Sequence, residues 1–143
     1  MRITHCEKKD IPRLAEIEKQ CFSAAWDDAS LSSAFSLPHF CALAALDGEE
    51  LFGYICGTVL FEDGEIFRVA VLPNKRKSGV GAALTAAFCE EAAKRGAEQV
   101  FLEVRVQNAP ALALYQKCGF ETNRLRKNYY ENGDDGLEMI KKL

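Results

Sequence analysis

A chain of 143 residues, 48% of them hydrophobic, is long enough for one domain with a sizeable core. Its net charge of −3, with 27% charged residues, leaves no basic excess; this argues against direct nucleic-acid binding and permits a cationic partner. No apolar run approaches membrane-spanning length, and the opening M-R-I-T-H-C-E-K-K-D has no hydrophobic signal core, so a cytoplasmic protein with no membrane partner is expected.

Arg2 to Cys6 alternates and reads as an edge strand. Asp10 is placed to cap a helix with Pro12 in its first turn and a stripe of Ile11, Leu14, Ala15, Ile17, Glu18 and Cys21. Ser23 to Trp26 breaks that helix. Asp27 or Asp28 then caps a short one through Ala34 to Leu37, ended by Pro38. Three strands follow: His39 to Leu46, Leu51 to Phe61, and Glu65 to Leu72. Turns at Asp47-Gly48 and Glu62-Asp63-Gly64 make them an antiparallel meander, and Gly53 and Gly57 suggest close packing or a bulge. Gly79 to Arg95 is the longest helix and Gly96 stops it. Gln99 to Val106 alternates, with Val100, Leu102, Val104 and Val106 on one face and Gln99, Phe101, Glu103 and Arg105 on the other. As a strand after a crossover helix, it should lie parallel to the strand before that helix. Asn108 caps a helix from Ala109 to Cys118, and Gly119 ends it. Glu121 to Tyr130 and Leu137 to Leu143 close the chain as a strand pair across N-G-D-D-G. The expected fold is mixed α/β (α+β): a mostly antiparallel sheet of about seven strands with one parallel step and about four helices, residues 1–143 forming one domain.

Six cysteines are scattered without a C-x-x-C pair, and there are only two histidines. Buried, reduced thiols are expected, and no metal site.

The stretch from Val69 to Phe88, V-A-V-L-P-N-K-R-K-S-G-V-G-A-A-L-T-A-A-F, runs from strand through a basic loop into a helix. Unpaired amides at a helix start beside cations form an anion site, most often for phosphate. A P-loop is excluded because no glycine stands at the right distance before Lys77-Ser78. A dinucleotide fingerprint is excluded because its third glycine is Leu84 and the preceding strands are antiparallel. The alternative is an ordinary helix start in which glycine eases a tight turn.

What remains, Arg76, Gly79 and Gly81 after a strand ending V-L-P, resembles motif A of the GNAT superfamily of acyl-CoA-dependent N-acetyltransferases. The block Leu102 to Phe120, L-E-V-R-V-Q-N-A-P-A-L-A-L-Y-Q-K-C-G-F, is similar to the next block of that family, and the likeness covers nearly the whole chain. Together with R-K-N-Y-Y, Arg126 to Tyr130, it resembles the RimI branch, which acetylates the N-terminal alanine of a small-subunit ribosomal protein. One departure is Ala25-Trp26 where that branch usually carries Pro-Trp, in a loop implicated in peptide recognition.

The resemblance implies acetyl-CoA as co-substrate and assigns roles. Arg76, Lys77, Ser78, Gly79, Val80, Gly81 and Ala82 form the pyrophosphate loop. The backbone of Val69, Ala70 and Val71 pairs with the pantetheine arm, and an N–H near Val71 polarises the thioester carbonyl. Asn108 caps its helix and contacts CoA. Glu103, by spacing alone a solvated strand carboxylate, becomes the general base; Tyr115, by spacing alone a core tyrosine, becomes the acid that protonates the leaving thiolate. Trp26, Tyr129 and Tyr130 either wall the peptide slot or close the core's open end. Asp27, Asp28, Glu131, Asp134 and Asp135 either attract a basic acceptor or serve as turn and cap residues, and Arg124, Arg126 and Lys127 read as a solvated basic run. The function expected is N-terminal acetylation of a ribosomal protein. The alternatives are acetylation of a small amine, and a non-catalytic acyl-CoA-binding module, which the presence of both Glu103 and Tyr115 disfavours.

Overall fold

The computed structural model describes residues 1–76 and 78–143; Lys77, expected in the anion loop, lies outside the described residues. The elements run β1 (Arg2–His5), α1 (Ile11–Cys21), α2 (Asp28–Phe35), β2 (Phe40–Asp47), β3 (Glu50–Leu60), β4 (Asp63–Val71), α3 (Val80–Lys94), β5 (Gln99–Arg105), α4 (Ala109–Lys117), β6 (Glu121–Arg126) and β7 (Gly136–Lys142). One seven-stranded sheet has the order β1-β2-β3-β4-β5-β7-β6, and β4–β5 is its parallel step, as expected.

Local chemistry sets the helix starts. The Asp27 carboxylate accepts the Ser30 amide at 2.8 Å, and the Asn108 side chain accepts that of Ala111 at 3.2 Å, each satisfying a donor the helix leaves open. α1 packs on one face of the sheet, where Tyr54 of β3 and Arg68 of β4 bond to its Glu18. α3 covers the other face, where Gly53 looks onto Leu84 and Gly64 onto Phe88 and Ala92. Leu14, Ile17 and Leu31 fill the first layer; Leu84, Phe88, Val100, Leu102 and Met139 fill the second. All six thiols are free.

Three boundaries differ from the sequence reading. The first hairpin turns on Gly48-Glu49, with Asp47 already paired to Glu50. The second turns on Phe61-Glu62, so β4 begins at Asp63. Gly64 is therefore a strand residue, needed because a Cβ there would come within 3.2 Å of Val100 and 3.4 Å of Ala92. β6 ends at Arg126, which puts Tyr129 and Tyr130 in the connecting loop rather than in a strand; Asn128 at φ 53 breaks the extended run.

The glycine signal in β3 corresponds to a bulge. Cys56 faces Arg68 and Gly57 faces Ile66, leaving Phe67 as an extra residue in β4. A Cβ on Gly57 would overlap the Glu65 carbonyl, so only glycine permits this approach. At the same point β4 and β5 part. Their parallel pairing ends at Ile66 with Leu102, although β4 continues to Val71 and β5 to Arg105. A bulge bends its strand, and here the bend opens the sheet at its centre.

Candidate active site

The opening between β4 and β5 leads to the start of α3. Gly79 precedes that helix in the left-handed region at φ 81, with nothing within 4 Å of the position its Cβ would take. The first bond of the helix start runs from the Ala83 amide to the Gly79 carbonyl, at 3.0 Å. The amides of Val80, Gly81 and Ala82 thus have no intrahelical partner, and no side chain among the described residues caps them. They form a cradle for an anion. Gly81 has a different reason to be glycine, since its Cβ would lie 3.3 Å from Leu114 of α4. The loop side chains hold the loop itself: Arg76 Nε donates to the Val71 carbonyl at 2.9 Å, and Ser78 Oγ to that of Lys75 at 2.8 Å.

Backbone alternation makes the strand edge available. The Leu72 amide donates to the Phe52 carbonyl at 3.0 Å. In an antiparallel pair, successive amides point to opposite sides, so those of Val69 and Val71 point away from β3, where β5 has left.

Glu103 stands one residue past the last β4–β5 pair. It lines a cavity of about 320 Å³ with Glu65, Phe101, Arg126, Tyr129 and Glu138. Arg126, expected to be solvated, turns inward instead, because two carboxylates on neighbouring strands draw its guanidinium. It lies 2.7 Å from Glu103 and donates from Nη2 to Glu138 at 2.9 Å. The contact with Glu103 is chiefly one of charge, since Arg126 Nε makes no aligned hydrogen bond among the described residues. Glu103 Oε2 is buried without a partner among the described residues. Burial lifts the Glu103 carboxyl above the usual carboxylate range, and the Arg126 charge offsets only part of this. Glu138 is held low by its hydrogen bonds from Asn123 and Arg126. Two neighbouring carboxylates are thus pushed in opposite directions, leaving Glu103 the one suited to exchange a proton.

Tyr115 lies on α4 outside that cavity, its ring edge-on to Phe120 with centroids 5.9 Å apart. Burial pushes its hydroxyl up to about 12, which keeps it protonated at neutral pH and able to donate. Tyr129 and Tyr130 stand perpendicular at 5.1 Å against Gly136, where a Cβ would meet both rings. Arg105 stacks on Tyr130 at 4.0 Å and donates to Asn132 and Asp134, pinning the β6–β7 loop to the end of β5. Trp26 belongs to the α1–α2 loop, its amide bonded to Glu18. Tyr129 thus joins Glu103 in one cavity, with Tyr130 beside it, while Trp26 sits elsewhere on the same face.

Three of the five acidic residues expected at the rim have structural work. Asp27 caps α2, Asp134 holds Arg105, and Asp135 accepts the Asn128 amide at 2.9 Å. The acidity at the site comes from Asp63, Glu65, Glu103 and Glu138. Glu18, Arg68, Arg126 and Glu138 were not singled out from the sequence as site residues. The available signals were a carboxylate on the apolar stripe of α1 and an arginine inside the apolar I-F-R-V-A-V.

The profile of the acetyltransferase (GNAT) family matches residues 11–120. The chain belongs to this family. It is an acyltransferase, and the resemblance to the RimI branch holds over most of its length. A relative from Escherichia coli K12, a [ribosomal protein bS18]-alanine N-acetyltransferase, is 30% identical over 138 residues, covering 96% of this chain and 93% of the relative. A protein of Bacillus subtilis 168, a putative [ribosomal protein bS18]-alanine N-acetyltransferase, is 34% identical over 134 residues, covering 92% of this chain and 88% of that protein. The crystal structure of the ribosomal-protein-S18-alanine N-acetyltransferase from Escherichia coli superposes with a TM-score of 0.90 at 28% identity, covering 99% of this chain and 92% of the other. The residues present fit a CoA thioester: the helix-start amides suit a pyrophosphate, and the open strand edge suits an arm that carries amides.

Proposed function

We propose that the chain is an acetyl-CoA-dependent N-α-acetyltransferase acting on the N-terminal alanine of a small-subunit ribosomal protein, with residues 1–143 as one cytoplasmic catalytic unit. The observation that carries this reading is Glu103, a carboxyl with a raised pKa at the mouth of the β4–β5 opening. The two relatives named for acetylation of ribosomal protein bS18 support the choice of acceptor.

Acetyl-CoA supplies the acetyl thioester. The amides of Val80, Gly81 and Ala82, with the charge of Arg76, hold its pyrophosphate, and the outward backbone of Val69 and Val71 pairs with its arm, while that of Ala70, also expected to pair, is turned to Tyr54 of β3. The Val71 N–H polarises the thioester carbonyl. Glu103 takes a proton from the acceptor's α-ammonium, whose pKa of about 7.7–8.0 asks only for a modest base. The neutral amine then attacks directly; as the N–C bond forms and the C–S bond breaks, Tyr115 gives its proton to the departing sulfur, and the proton shed by the acetylated nitrogen restores Tyr115. Asn108 caps α4, the helix that carries Tyr115, and also contacts CoA. Trp26, Tyr129 and Tyr130 wall the acceptor slot.

The test is thiol release from acetyl-CoA with a peptide beginning Ala-Arg, the same peptide already acetylated, and spermidine. Release with the free peptide alone is expected. Release with spermidine but not the peptide would move the reading to a small-amine acetyltransferase.

A further inference from the structure

The α1–α2 loop, F-S-A-A-W from Phe22 to Trp26, contains no proline to stiffen it. Its fixed points come from a side chain on another element. Arg68 of β4, the first residue past the bulge at Phe67, sends its guanidinium between two rings of this loop, 4.3 Å from the centroid of Phe22 and 4.6 Å from that of Trp26. Its Nη2 donates to the Ala24 carbonyl at 2.9 Å and to Glu18 Oε1 at 3.0 Å. The same Glu18 oxygen accepts the Trp26 amide at 2.9 Å, and its partner oxygen accepts the Tyr54 hydroxyl at 2.6 Å. Glu18 is fully buried and the Arg68 side chain is 19% exposed, so the pair is shielded from solvent, where an unmatched charge is costly. The Ala24 and Trp26 backbone bonds of the loop both end on this pair.

We infer that Arg68 is a positioning residue for the acceptor: it sets where Trp26 stands and thereby shapes the acceptor slot. Three contacts give it that role, namely planar stacking on two rings, a carbonyl held by Nη2, and a charge matched by Glu18. Lysine loses the first of these, because an ammonium has no plane to stack on either ring. The strand that carries Arg68 also carries Val71, so the seat of the thioester and the wall of the acceptor slot share one backbone. The link to acceptor choice rests on the proposed function; the link to Trp26 does not.

Trp26 is the chain's single tryptophan, so its emission reports this loop without interference. The proteins to compare are the full chain, Arg68→Ala, Arg68→Lys and Phe22→Leu. Without substrates, Arg68→Ala should red-shift the Trp26 emission and make it easier to quench with acrylamide; unchanged emission and quenching would overturn the inference. With the Ala-Arg peptide, Arg68→Ala and Arg68→Lys should each raise the acceptor KM about tenfold, while the acetyl-CoA KM stays within about twofold. Full recovery of the acceptor KM in Arg68→Lys, or an equal rise in both KM values, would overturn it too. Phe22→Leu keeps the charge pair and removes one stacking face, so a smaller rise in acceptor KM is expected from a protein that keeps the Glu18 pairing. If the unaltered chain acetylated no peptide, the proposed function would fail, and the emission result would still decide whether Arg68 holds Trp26.

Discussion

The Nε of Arg126 lies 2.7 Å from Oε1 of Glu103, yet its N–H makes no aligned hydrogen bond among the described residues. The guanidinium lowers the Glu103 pKa chiefly through its charge, and Glu103 Oε2 has no partner among the described residues. Replacing Arg126 should expose the full effect of burial. In Arg126→Gln the Glu103 carboxyl rises further, and the acid limb of kcat/KM against pH moves to higher pH. The sign follows from the base role, since activity is lost as pH falls through the base's pKa. A pH profile with the Ala-Arg peptide checks this; an unmoved limb would show that Arg126 does not tune Glu103.

Glu103→Gln should lower kcat by at least about tenfold, the lower range for loss of a general base being about a hundredfold when no water substitutes. Its effect on stability should have the opposite sign. The folded pKa of Glu103 is raised, so the folded state binds a proton that the unfolded state has already released, and stability falls as pH rises through that window. The penalty is absent below the ordinary glutamate value and complete above the raised one. At neutral pH the Gln variant should therefore melt at or above the temperature of the unaltered protein, with the difference shrinking in acid. Thermal melts at several pH values measure it.

Gly57→Ala tests the bulge. A methyl group there has to displace the Glu65 carbonyl. The loss should be about 3 kcal/mol, at the top of the range for overpacking. Because the same displacement disturbs the point at which β4 leaves β5, the acetyl-CoA KM should rise as well. Denaturant midpoints and steady-state kinetics read the two effects separately.

Gly79 and Gly81 should separate in their kinetics. Gly79→Ala forces a side chain into the left-handed region at a cost of about 1 kcal/mol and crowds the anion cradle, so the acetyl-CoA KM should rise with kcat retained. Gly81→Val presses on Leu114, one residue before Tyr115, so kcat should fall more than binding. Matching changes in both variants would refute the separate roles.

Asn108→Ala removes the acceptor of the Ala111 amide and should cost about 1 kcal/mol, a few degrees in a thermal melt.

The order and type of every main element were legible because periodicity and punctuation agree along this chain. The misplaced second turn has a simple cause. Glycine marks either a positive φ or a missing Cβ, and the letter alone does not say which. Gly64 was read as a turn when its use is to leave room for Val100. The overrun of β6 has another cause. Tyr129 and Tyr130 are residues that favour strands, but Tyr130 is held by Arg105, which lies 25 positions earlier in the numbering.

Within the site, Glu103 and Tyr115 stand out as candidates in the sequence because they fall inside a compact block of the family pattern. Glu18 with Arg68, and Arg126 with Glu138, do not. The first pair spans 50 positions and the second crosses two strands, so neither leaves a local spacing to read. A carboxylate on a buried helical stripe and an arginine inside an apolar strand each implied a hidden partner, but register alone decides which one it meets.

Among the described residues, β4 and β5 share only four backbone pairs, Asp63 to Ile66 against Gln99 to Leu102, and these are the sheet's one junction between β1–β4 and β5–β7. In mechanical terms this is a seam across the middle of the molecule. Apart from the edge strand β1, which is also held by four pairs, this is the sheet's sparsest stitching among the described residues, so the block from β5 to β7 is the unit expected to open sub-globally. A donor lying along the unpaired edge of β4 would add rungs at the seam. Amide exchange in β5 to β7 should then slow with CoA bound, even at positions that never touch it.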